Sequence, residues 1–299
     1  MTLTERSAIL RADNLRGAVW MVAAMAGFAV EDMFLKAAKA HMPLGQALLA
    51  FGVIGMVFFA VMARRQGEAV LHPAALSRPL LIRSGFEVTG RLFYSLAIAL
   101  TPLSVASAIL QATPLVVVAG AALIFGETVG WRRWTAIVVG FLGVLVILRP
   151  GLDGFSVLSL VTVVGLIGFA GRDLATRAAP KVLSNRQLGV YGMAMLALAG
   201  AIILSVTGGA VWPDATGAAL VVGMTAFGIF AYNALTIAMR TGEISAVTPF
   251  RYTRLVFAMI AGVVVFGEHP DALTLIGSAL IVGSGIYTLH RSRQRDAST

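Results

Sequence analysis

The chain has 299 residues, of which 58% are hydrophobic and only 12% charged, with a formal net charge of +9. A soluble domain carries about 25% charged residues, so this composition calls for lipid as the solvent, and the positive excess is read as cytoplasmic-loop arginine rather than a nucleic-acid surface. There is no cysteine, and the four histidines at 41, 72, 269 and 290 fall in expected loops or helix ends, which excludes a thiolate site and argues against a metal centre or any cofactor.

Ten apolar stretches are long enough to cross a bilayer core, which needs about 20 helical residues. They run over roughly 17–37, 43–64, 79–99, 103–126, 132–149, 155–178, 186–207, 214–239, 244–267 and 271–290. Pro43, Pro73, Pro79, Pro102, Pro150, Pro180, Gly208-Gly209 and Pro270 mark the breaks. The start of the chain has no small-residue cleavage site before the first apolar run, so no removable leader is expected.

In the first span Glu31 and Asp32 are charged at membrane depth. The third span carries Arg83, Glu87 and Arg91, spaced four apart and therefore on one helix face, with Tyr94 near the same stripe. A charge at this depth costs about 2.5–3.5 kcal/mol on insertion scales and must face a cavity or a partner. Two readings fit: a wall that binds a zwitterion, with arginine taking the carboxylate and Glu87 the ammonium, or a neutralised stripe that holds helices together, with Arg83 at the cytoplasmic interface. In the fourth span Gln111 precedes Pro114, and Glu127 closes the span, where it is expected to cap the next one. The sixth span carries Arg172 and Asp173. The eighth carries Tyr232 and Asn233, an aromatic wall suited to a planar ligand. The ninth opens with Pro249, which weakens the helix, followed by Arg251, Tyr252 and Arg254. Glu268 closes it as Glu127 closes the fourth.

These marks repeat at a constant offset of 141 residues. Asp32 returns as Asp173, Lys36 as Arg177, Gln46 as Gln187, Phe86 as Phe227, and Phe125-Gly126-Glu127 as Phe266-Gly267-Glu268. Five spans per copy is an odd number, so the second copy must enter the membrane from the other side: an inverted repeat. With the amino terminus inside, fifteen loop arginines and lysines fall in cytoplasmic segments and two, Lys39 and Arg149, outside, which puts both termini in the cytoplasm. The expected organisation is a cytoplasmic tail over 1–16, a first five-helix unit over 17–149, an inverted second over 150–290 and a cytoplasmic tail over 291–299. The fold class is an all-α membrane protein of ten transmembrane helices.

Ten spans, two inverted five-helix units and a Gly-Glu closing the fourth span of each, together with Gln111-Ala112-Thr113-Pro114-Leu115, Gly277 and Gly283, resemble the EamA-type members of the drug/metabolite transporter superfamily. The resemblance covers nearly the whole chain. It implies a secondary active transporter of the bacterial inner membrane working by alternating access. Within the superfamily the chain is similar to amino-acid exporters, including those for aromatic amino acids; an importer of a vitamin such as riboflavin is the alternative. Expected partners are a small-molecule substrate and the lipid bilayer, with no nucleic acid. Substrate contacts are assigned to Glu87, Arg91, Tyr94, Gln111, Tyr232, Asn233, Arg251, Tyr252 and Arg254. Coupling or gating is assigned to Asp32 and Asp173; the alternative is a symmetric structural role in which each pairs with a cation such as Lys36 or Arg177 one turn on.

Overall fold

The computed structural model describes residues 3–100, 109–148, 159–257, 260 and 272–294, and every described element is helical. In chain order they are α1 (Leu3–Ala38), α2 (Leu44–Arg65), a 3-10 turn (Pro73–Leu76), α3 (Arg78–Leu100), α4 (Thr113–Phe125), α5 (Trp131–Leu148), α6 (Ser159–Ala178), α7 (Asn185–Thr207) and α8 (Ala215–Arg240). The short α9 (Ile244–Val247) passes into a second 3-10 turn, Thr248–Tyr252, and helical residues 253–257; α10 (Ala272–Gln294) follows. Stretches 8–35, 44–65, 185–207 and 215–240 are long and apolar enough to cross a membrane by length and composition.

Local chemistry shapes three stretches. Residues 3–16, ahead of the first span, are helical and continuous with α1. Pro114 does not kink a long helix: it sits in the first turn of α4, where its missing N–H is one the helix leaves unbonded anyway. Pro249 does interrupt regular helix, as the 3-10 turn it opens shows. Phe266, Gly267 and Glu268 lie outside the described residues, as do Pro102, Arg149, Pro150 and Pro270.

The helices pair antiparallel, and each pair joins the two halves of the sequence. Gly27 of α1 lies against Ala231 of α8, and Gly17 against Thr241. On α3, Phe86 meets Gly171 of α6, while Tyr94 meets Gly165. Gly45 of α2 meets Leu204 of α7, and Phe59 meets Gly189; Gly143 of α5 meets Gly277 and Ile281 of α10. Small residues permit this closeness, since lipid offers little hydrophobic drive between helices. A Cβ placed on Gly52 would fall 2.3 Å from the Ala197 backbone nitrogen, so only glycine fits there.

The 141-residue offset maps α2 onto α7, and these two pack on each other. Gln46 of α2 donates through Nε2 to the Val211 carbonyl at 2.6 Å and accepts from the Val211 amide at 3.0 Å. Its mate Gln187 donates to the Ala69 carbonyl at 2.7 Å, and its Oε1 accepts from Ser184 N–H at 2.9 Å in a capping box that starts α7. Each glutamine thus grips the loop that follows the other's helix, at opposite ends of the pair. Near Gln46, Asp214 caps α8 through the Gly217 amide at 2.7 Å and meets His41 at 3.1 Å. That amide, and then His41, hold the Asp214 carboxyl below the usual carboxylate range.

Candidate functional site

The charged residues of the spans gather where α1, α3, α6, α8 and the 3-10 turn after α9 converge. At the centre is Glu87, fully buried. Its Oε2 accepts from the Tyr232 hydroxyl at 2.9 Å, and its Oε1 faces Arg172 Nη1 at 3.3 Å. Arg83 and Arg91, one turn below and above on α3, each reach it at 3.9 Å.

Arg83 is buried, 1% exposed. Its Nε donates to Thr176 Oγ1 at 2.9 Å and its Nη2 to the Tyr232 hydroxyl at 2.5 Å. Tyr232 therefore receives from Arg83 and gives to Glu87, so its hydroxyl is saturated. A small cavity bordered by Arg83, Arg172, Thr176 and Thr236 adjoins this cluster.

Arg172 links two carboxylates. Besides Glu87 it bonds Asp173 Oδ1 through Nε at 2.9 Å. Adjacent helical residues point about 100° apart, but the long guanidinium stem curls back to its neighbour. The other oxygen of Asp173 takes Arg251. Asp32 takes Arg254, whose Nε lies 3.1 Å away. Asp173 is thus held by an arginine about 80 positions away instead of Arg177 one turn on, and Asp32 by one about 220 positions away; the Lys36 side chain lies outside the described residues. Helical spacing brings i and i+4 together, but a carboxylate takes the cation that packing presses against it, whether buried like Asp173 or exposed like Asp32.

Aromatic rings back the guanidiniums. Arg91 lies 5.7 Å and Arg172 5.3 Å from the Phe169 ring centroid, and Arg254 lies 5.4 Å from that of Phe28. Tyr94 meets Phe169 edge-on at 5.8 Å. Phe28 and Phe169 are repeat mates, so this pairing of ring and arginine occurs once in each half.

Other assigned residues fall elsewhere. Tyr252 is buried against Val144 and Ile281 and donates to the Ile137 carbonyl at 3.2 Å, so it packs α5 and α10 together instead of facing the cluster. Gln111 is buried in the turn before α4, and Asn233 is half-buried beside Tyr232; neither hydrogen-bonds to the charged cluster among the described residues. Glu127 caps α9 rather than the next helix: its carboxylate accepts from the amides of Ile244 at 3.0 Å and Ser245 at 3.1 Å. The loop to α5 is short, but the α9 amides point at it. Arg133 reinforces this end by bonding Ser245 at 2.7 Å and pairing with Glu243. Among the described residues no cluster of carboxylates and histidines is arranged to hold a metal.

Two residues carried more than the sequence reading gave them. Arg172 and Glu31 occupy matching positions of the two copies with opposite charge. That inversion was the available signal: a repeat that keeps an ionisable position but flips its sign marks a place where charge is wanted in both halves.

Known proteins place the chain. It is 26% identical to a riboflavin transporter of Rhizobium johnstonii over 94% of this chain and 93% of that one. It is 25% identical to an S-adenosylmethionine uptake transporter of Rickettsia prowazekii, covering 95% and 96%. A pseudopaline exporter of Pseudomonas aeruginosa is 29% identical, covering 89% and 93%. A solved crystal structure at 21% identity superposes with a TM-score of 0.79 over 93% of this chain and 98% of that one, so the fold is shared. The EamA-like transporter family matches twice, over residues 15–149 and 155–289, and the chain is therefore a membrane protein belonging to that family.

Proposed function

We propose that the protein is a secondary active transporter of the bacterial inner membrane that exports amino acids or related small metabolites by alternating access. The observation that carries this is the buried charged cluster shared between the two halves, in which Glu87 of the first half meets Arg172 and Tyr232 of the second. Ionisable groups at this depth are retained where a polar solute must be met. Antiparallel packing of α2 on its repeat mate α7 supports two inverted five-helix units, 17–149 and 150–290, in ten spans with both termini cytoplasmic.

In this reading Arg91, Arg254 and Tyr94 face the solute, and Glu87, Arg172 and Tyr232 position the guanidiniums. The pairs Asp32–Arg254 and Asp173–Arg251 tie α1 and α6 to the segment after α9 and act as gates. Likeness over most of the chain to a protein named riboflavin transporter favours a second reading, an importer of a vitamin-like metabolite. Counterflow in proteoliposomes separates the two. Exchange of labelled amino acid supports the first; exchange of riboflavin without amino-acid exchange replaces it. Phosphatase activity of a fusion at Thr299 would reject the cytoplasmic termini.

A further inference from the structure

Two adjacent carboxylates of α1 differ in their company. Asp32 is paired with Arg254. Glu31 is 2% exposed, and among the described residues neither a hydrogen bond nor an ion pair reaches it. The charged groups around it are Arg91 from α3, Arg172 from α6, Arg254 from the segment after α9, and Asp32 beside it. Arg172 and Arg254 are engaged by carboxylates in direct contact.

Arg91 is not so engaged. Its Nε is buried without a hydrogen-bond partner. The nearest carboxylate oxygen, on Glu87, is 3.9 Å away and already faces Arg172 at 3.3 Å. The Phe169 ring lies under the Arg91 guanidinium and limits how far it can turn. So a buried carboxylate and a half-buried guanidinium with a buried Nε stand in the same cluster, both incomplete. Leaving either unpaired in a low-dielectric interior is costly, and a ligand with one charge of each sign relieves both.

We propose that Glu31 accepts the ammonium, and Arg91 the carboxylate, of a zwitterionic α-amino acid. The proposal rests on the transporter reading above and extends it at one point: Glu87, held by Tyr232, Arg172 and the flanking arginines, orients Arg91, and the ammonium expected at Glu87 from sequence goes to Glu31. An α-amino acid carries its ammonium and its carboxylate on one carbon, so it can meet a carboxylate and a guanidinium that stand in one cluster without an ion pair between them.

The test uses the full chain in nanodiscs and proteoliposomes, with the standard L-amino acids as probes, then the 2-hydroxy acid and the amide of each one that exchanges. The hydroxy acid lacks the ammonium and the amide lacks the carboxylate. Wild type should prefer the amino acid over either analogue by about tenfold or more, the size expected when a charge-assisted hydrogen bond is lost. Glu31→Gln should shrink the preference over the hydroxy acid to about threefold or less while keeping the preference over the amide. Arg91→Ala should do the reverse. Glu31→Asp keeps the charge and should keep the preference, which guards against a folding artefact. A Glu31→Gln protein that still prefers the amino acid tenfold overturns the assignment and leaves the transporter reading standing. A wild type that exchanges no amino acid overturns both.

Discussion

Two antiparallel helix pairs at the heart of the molecule are built alike and filled differently. Both α2–α7 and α3–α6 bring glycines against a neighbouring backbone: Gly52 on Ala197 in the first, Gly168 on Gly90 in the second. The α2–α7 contact is then completed by Phe51, Phe59, Met193 and Leu196, with polar groups only at its ends. The α3–α6 contact is completed by Arg83, Glu87, Arg172 and Thr176. The same close approach that saves space for apolar packing in one pair forces buried charges into contact in the other. A small-residue seam therefore fixes geometry and says nothing about purpose; what fills the room beside it decides that.

Substitutions that separate packing from chemistry sharpen this contrast. Gly52→Leu should have the largest effect, because the added carbons meet the Ala197 backbone, which cannot swing aside. Overpacking of this kind costs about 3 kcal/mol or more, and monodisperse, cooperatively melting protein should be lost. A Gly52→Leu protein with an ordinary melting curve would show that the α2–α7 seam is not as tight as drawn. Glu87→Ala comes next. It strands Arg172, Tyr232 and Arg83 in the interior, and breaking a buried charged pair costs about 3–5 kcal/mol. Glu87→Gln keeps the shape and a hydrogen-bond acceptor, so it should melt closer to wild type while exchange in counterflow collapses. If the two variants melt alike, the charge of Glu87 is not what holds the cluster.

Asp32→Asn lies further down the scale. Asp32 and Arg254 side chains are 51% and 26% exposed, so the pair contributes about 1 kcal/mol or less. Its removal should change the exchange rate more than the melting temperature. Equal loss of both would make it a structural pair like any other.

The smallest effect is expected at Glu68, in the loop after α2. Hydrogen bonds from Arg186, then Ser184, hold its carboxyl below the usual range despite some burial. A depressed acid stabilises the fold above its unfolded value, and this contribution fades as pH falls through its folded value. Wild type should therefore lose a small margin of stability over Glu68→Gln on acidification, and the two melting curves should converge at low pH. A gap independent of pH would assign the effect to shape instead of charge.

Much of the fold was legible because it rests on periodic signals. Apolar runs placed the helices, prolines and glycines their breaks, and the offset from Asp32 to Asp173 exposed the duplication. The stripe Arg83–Glu87–Arg91 was legible too, since one helix face is a local property. Partnership was not. Asp173 invites Arg177 by helical spacing, yet Arg251 holds it, and Asp32 is reached by Arg254 from the other half, because contacts distant in sequence depend on tertiary packing that no local rule encodes. Glu127 illustrates the same limit: the next helix starts a few residues away, but the amides it caps belong to Ile244 and Ser245. Tyr252, next to Arg251 in sequence, faces the other way, since the 3-10 turn after Pro249 rotates successive side chains differently from an α-helix.

The two glutamines at the ends of α2 and α7 have a mechanical consequence. Gln46 is pinned to the loop beyond α7 and Gln187 to the loop beyond α2, at opposite ends of one rod-like pair. Sliding one helix along the other by a single turn, about 5.4 Å, would tear both grips at once. Rotation about the long axis disturbs them far less. The pair is held in axial register at both ends, like a rod pinned between two clamps.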